Sequence, residues 1–137
     1  MQVLFLWDAQ DAPDRELAQQ IVNDGTDDAE VRSAALAMAA GTWEQRTGID
    51  ARVERFAPQW PPRRQPGVDR SIIRLAIYEM TSTDTPPRVV LDEAIELAKQ
   101  FSTEQSPGFV NGVLDAVLKE HESLVRGNDE IRNPKSE

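Results

Sequence analysis

The stretch Val68–Met80, VDRSIIRLAIYEM, constrains the fold more than any other part of the chain. Its apolar residues Val68, Ile72, Ile73, Leu75, Ala76, Ile77 and Met80 recur at helical spacing. They cover about half of a helix circumference, wider than the stripe of a helix lying on a protein surface. A helix that apolar needs packing partners on two sides. Asp69, Arg70, Arg74 and Glu79 fall off the stripe, and Asp69 stands near the start, where a carboxylate suits the positive end of the helix dipole. Pro66-Gly67 marks a turn just before it. The rest of the sequence must then supply helices that close around this one.

It does so on both sides. Met1–Trp7 is apolar without alternation and reads as the end of a helix or a short strand. Leu17, Ala18, Ile21 and Val22 form the stripe of a short helix that stops near Asn23-Asp24-Gly25. Thr26-Asp27-Asp28 is an N-cap cluster, and from Ala29 to about Arg46 the alanine-rich pattern predicts a helix closely approached by a neighbour. Thr47-Gly48 is expected to break it, with two further turns over Ile49–Ala57. Downstream, Leu91, Ala94, Ile95, Ala98 and Phe101 stripe a helix over 88–101. Phe109, Val110, Val113, Leu114, Val117 and Leu118 stripe the last strong one, entered at Pro107. Gly112 inside it costs about 1 kcal/mol relative to alanine, which suggests close contact with another backbone.

Five or six helices and no convincing strand predict an all-α fold. The proline-dense segment 58–67 divides an N-terminal helical set (1–57) from a C-terminal set (68–125), and the polar residues 126–137 read as a flexible tail. Without cysteine, and with His121 the only histidine, disulfide frameworks and thiolate or multi-histidine metal sites are excluded. No apolar run approaches the roughly 18 residues of a membrane span and no signal peptide is evident, which points to the cytoplasm.

The net charge is −9, which by itself opposes non-specific nucleic-acid binding. The charge is uneven, however. Residues 8–30 carry eight acids against one base, whereas residues 52–74 carry six arginines (Arg52, Arg55, Arg63, Arg64, Arg70, Arg74) against Glu54 and Asp69. Such a chain can present a basic face or an ordinary mixed surface. No nucleotide-binding glycine loop or nucleophile elbow is present. Glu93 and Glu96 lack the Glu-x-x-His companions of a bundle metal site and read as a solvated face. No catalytic residue, metal site or cofactor is assigned.

Three segments carry a family resemblance. VDRSIIRLAIYEM, followed by DEAIELAKQF and FVNGVLD within residues 86–117, resembles the C-terminal half of the NusB transcription-antitermination family. MQVLFLWD resembles that family's first helix, entered part-way along. The resemblance implies two small helical bundles packed across each other. It also implies binding of single-stranded leader ribosomal RNA together with a small ribosomal-subunit protein, in a complex that makes RNA polymerase resist termination.

By position, the resemblance places Phe109 where the family presents an aromatic ring to RNA, with Lys99 and Gln105 on the neighbouring edge and Gln2 near the RNA path. Phe5, Asp69 and Arg70 match the side facing the ribosomal protein. From the residues alone, Phe109 also fits a core position continuing the Val113–Val117 stripe, and Asn111 fits a backbone-bonding role near Gly112. Family members carry an arginine-rich segment ahead of the first helix. The expectation is therefore weak RNA binding by residues 1–137 alone, restored by a basic N-terminal extension. The alternative is a helical protein-interaction module of the same fold with weak or no RNA binding.

Overall fold

The computed structural model describes the backbone of residues 1–132 and the side chains of residues 1–127. Its elements are α1 (Gln2–Gln10), α2 (Arg15–Gly25), α3 (Ala29–Phe56), a single 3-10 turn (Pro62–Arg64), α4 (Gly67–Ser82), α5 (Pro87–Phe101) and α6 (Ser106–Arg132), with no strand among the described residues. The all-α reading holds, and no described helix is long and apolar enough to cross a membrane.

The helix starts follow local chemistry. The Asp14 carboxylate accepts from the backbone N–H of Leu17 at 3.0 Å and caps α2. Asp28 accepts from the N–H groups of Glu30 and Val31 and caps α3, satisfying donors that the first turn leaves free. Between α1 and α2, Asp11 adopts the left-handed conformation (φ 55°), and the Trp7 indole donates to the Asp14 carbonyl at 2.9 Å.

Helix α4 is the hub, in contact with α1, α3, α5 and α6. Its Ile72, Ile73, Ala76, Ile77 and Met80 are all buried, and each large side chain among them contributes roughly 1.5–3 kcal/mol of apolar transfer. One hydrophobic cluster joins them to Ile49 and Val53 of α3, Val90, Leu91, Ala94 and Ala98 of α5, and the stripe Val110–Leu118 of α6. A second gathers Val3, Leu4 and Trp7 of α1, Ala18 and Val22 of α2, and Ala39 and Trp43 of α3. Trp7 and Trp43 meet edge to face, centroids 5.8 Å apart, a favoured aromatic geometry. Gly41 explains how closely α3 meets α4: a Cβ there would stand 2.3 Å from the Tyr78 hydroxyl. We propose that the two clusters are the cores of the N-terminal and C-terminal sets, with α3 serving both across the 58–67 connection.

Three sequence expectations change. Thr47-Gly48 does not break α3, which runs unbroken from Ala29 to Phe56. One glycine costs about 1 kcal/mol, less than the burial of Ile49 and Val53 returns. Helix α6 continues through 126–132, assigned above to a flexible tail. No proline intervenes before Pro134, and extending an existing helix is far easier than starting one; residues 133–137 lie outside the described residues. Gly112 touches no other backbone, since a Cβ there would meet nothing within 4 Å. Its cost is therefore uncompensated in the free protein, and Gly112→Ala is expected to stabilise the fold by about 1 kcal/mol. Urea unfolding checks this, and a lower midpoint for the variant contradicts it.

Candidate nucleic-acid interface

The α5–α6 connection is held from below by a carboxylate. Asp69, in the first turn of α4, is only 3% exposed. Its Oδ2 accepts from the Ser106 hydroxyl at 2.8 Å, and its Oδ1 accepts from the Ser102 hydroxyl. The Ser102 and Ser106 oxygens lie 2.9 Å apart, and the Thr103 hydroxyl is left to donate to Ser106 Oγ at 2.8 Å. Three hydroxyls and one carboxylate thus fix both ends of the loop, and with it Gln105 and the first turn of α6.

Above this clamp lies a cleft of about 380 Å³ lined by Trp60, Pro66, Asp69, Thr103, Gln105, Ser106 and Phe109. Phe109 sits where both of its sequence readings remain open. It is partly buried and packs against the main core, yet it also faces this cleft. Gln105 is exposed on the rim. The structure thus brings Gln105 and Phe109 together. Lys99 is exposed in the last turn of α5 and does not line the cleft. Gln2 and Phe5 belong to a separate hollow of about 310 Å³ with Leu6, Ile21, Val68 and Phe101, and the Phe5 ring lies against Gly67 at the start of α4. Asn111 is exposed on α6.

Asp69 and Arg70, which the family resemblance places on the partner-facing side, are both engaged inside the fold. The Asp69 carboxylate is buried and takes two hydroxyl donors. The Arg70 guanidinium is spent inside the fold. It ion-pairs with Asp8 and donates to the carbonyls of Pro62 at 2.8 Å and Gln65 at 3.0 Å. Arg74 bridges Asp8 at 3.0 Å and Asp50 at 2.6 Å. Burial pushes the Asp8 carboxyl up, but the hydrogen bonds and charges of Arg70 and Arg74 outweigh it and hold the group below the ordinary aspartate range. This network was not visible in the sequence, because its members are far apart along the chain.

The arginine-rich stretch is therefore mostly consumed. Arg52 and Arg55 pair with Glu120 of α6, Arg70 and Arg74 with the acids just named, and Arg63 reaches Glu54 at 3.5 Å in an exposed pair. Arg64 alone of the six has no ion pair within 4 Å among the described residues. A mixed surface, not a broad basic face, is the outcome. A hollow of about 540 Å³ around Met1, Met38 and Leu97 suits nucleic acid poorly. It is apolar and carries Glu79 and Glu93, where burial and the neighbouring Glu93 charge push the Glu79 carboxyl up.

Comparison with known proteins gives consistent matches. A profile described as the NusB family matches residues 1–119. A "Transcription antitermination protein NusB" of Solibacter usitatus is 43% identical over 122 residues, covering 88% of this chain and 84% of the relative. The solved structure of NusB from T. maritima is 36% identical, with a TM-score of 0.76 over 88% of this chain and 85% of that one. A likeness of fold alone, at 24% identity and a TM-score of 0.76, extends to a chain in the crystal structure of antitermination factors NusB and NusE in complex with dsRNA, over 86% of this chain and 89% of that one.

Proposed function

The chain belongs to the NusB family, and from that membership we propose that it is an RNA-binding transcription antitermination factor. In this reading it binds leader ribosomal RNA together with a small ribosomal-subunit protein and acts on the RNA polymerase complex. The observation that carries the reading is Phe109, an aromatic ring anchored in the core on one side and open to a cleft on the other. A ring held that way loses little freedom when an unpaired base stacks on it, an interaction worth roughly 1–3 kcal/mol. Gln105 on the rim supplies an amide able to pair with a base edge or a phosphate. Lys99 and Gln2 extend the RNA path at its margins. The half-exposed Phe5 and Phe101, both lining the hollow at α1, suit the protein partner.

A filter-binding titration against a ribosomal-RNA leader transcript at low salt tests this. Phe109→Ala is expected to weaken binding about 5- to 100-fold while leaving the helical signal intact. An unchanged affinity in Phe109→Ala would sink the assignment. A second reading, a helical protein-interaction module with weak or no RNA binding, draws on the net charge of −9 and on the internal use of most arginines in residues 52–74. Absence of RNA binding by the unmodified protein, with partner binding retained, selects it.

A further inference from the structure

Trp60 is the largest side chain that the foregoing leaves without a purpose. Trp7 and Trp43 are 4% and 8% exposed, whereas Trp60 is 48% exposed. Yet its backbone is not loose. The Trp60 N–H donates to the Ala57 carbonyl at 3.0 Å, and its carbonyl accepts from the Gln65 side chain at 3.1 Å. Pro61 and Pro62, which follow it, are both buried. The proline-dense connection, read from sequence as a stiff linker, therefore holds an indole rigidly in the open, beside the same cleft that Phe109 and Gln105 line.

We propose that Trp60 is a second stacking surface for RNA, and that the cleft shared by Trp60 and Phe109 receives an unpaired nucleobase of a single strand. This rests on the RNA-binding reading and adds to it the way in which the strand is gripped. Three features favour that occupant. The walls are aromatic at both Trp60 and Phe109, and base–aromatic stacking tolerates any base. The rim carries hydrogen-bonding groups, Gln105 and Thr103, matched to a base edge. The flank is cationic: Arg63 and Arg64 stand exposed in the turn directly after Trp60, Arg64 without an ion pair among the described residues and Arg63 in a long exposed one. A phosphate on either side of the inserted base meets positive charge there, on a chain that is otherwise acidic. A cleft of about 380 Å³ also lies within the range of pockets that hold small ligands, roughly 300–1,000 Å³.

Because Trp7 and Trp43 are buried, solvent-exposed indole emission reports Trp60. The test titrates the full chain with single-stranded fragments of a ribosomal-RNA leader, about 12 nucleotides long. Wild type, Trp60→Phe and Trp60→Ala are compared by both fluorescence and filter binding. RNA is expected to quench the wild-type emission and to leave that of Trp60→Phe unchanged. Trp60→Ala is expected to bind about 5- to 100-fold more weakly, and Trp60→Phe nearly as well as wild type. Arg64→Ala is expected to lower the slope of log affinity against log salt by about one. If wild type binds RNA with no change in Trp60 emission, or Trp60→Ala binds as wild type does, the slot is wrong while the parent reading stands. If wild type binds none of the fragments, both fall together.

Discussion

Replacing Arg74 by leucine is expected to lower the unfolding free energy by about 2–4 kcal/mol, between the cost of breaking an exposed ion pair and that of breaking a fully buried one. The Arg74 side chain is 12% exposed and stands between two carboxylates, Asp8 from α1 and Asp50 from α3. Leucine fills some of the volume but leaves Asp50 unpaired and Asp8 with Arg70 alone. Asp50 then lacks a counter-charge and Asp8 keeps only one, and that loss outweighs the apolar gain. Urea unfolding followed by circular dichroism measures it, and a loss below about 1 kcal/mol contradicts the argument. The network also has a pH signature. The folded carboxyl of Asp8 lies below its ordinary value of 3.8. Its stabilising share is therefore complete above that value and disappears as pH falls through the lower, folded one. Asp8→Asn should flatten the acid limb of the stability curve while leaving the shape of the curve above pH 5 unchanged.

This network marks where sequence reading reaches its end. Helix periodicity reports what one segment does with its own neighbours, so the stripes of α4, α5 and α6 were legible, as was the Asp28 cap. Ion pairs that bring Asp8 to Arg70 and Arg74 depend on how α1 crosses α4, and no local pattern encodes that. The arginine count left a basic face and a mixed surface both open because charge in a sequence carries no partner label; the fold assigns most of those charges to carboxylates. Gly48 and Gly112 misled for a related reason. A glycine has several uses, and only packing tells an uncompensated helix position from a close approach such as Gly41. Trp60 was hidden by its prolines: a segment rich in them reads as a spacer, whether or not it also displays a side chain. Phe109 carried two readings because an edge-of-core aromatic satisfies a core stripe and a surface motif together.

The second large effect is expected at Asp69, and it separates positioning from contact. Asp69→Ala removes the acceptor for two hydroxyls, one of them the buried Ser106. Hydrogen bonds to a charged group contribute about 1.5–3 kcal/mol each; relief of the cost of burying the carboxylate offsets part of the sum, so stability should fall by roughly 2–4 kcal/mol. The loop 102–105 then loses its anchor. If two or three of its residues must be re-ordered when RNA binds, at roughly 1–2 kcal/mol each, affinity for RNA alone should fall at least tenfold although Asp69 itself touches no RNA. Asp69→Asn, which keeps the shape and one oxygen acceptor, should recover part of both losses. Amide hydrogen exchange distinguishes this from a direct role toward a protein partner. Loss of the clamp speeds exchange at residues 102–106, whereas loss of a surface contact leaves those amides and the RNA affinity as they were. Unchanged exchange in Asp69→Ala, with unchanged RNA binding, would return this carboxylate to the protein-facing side.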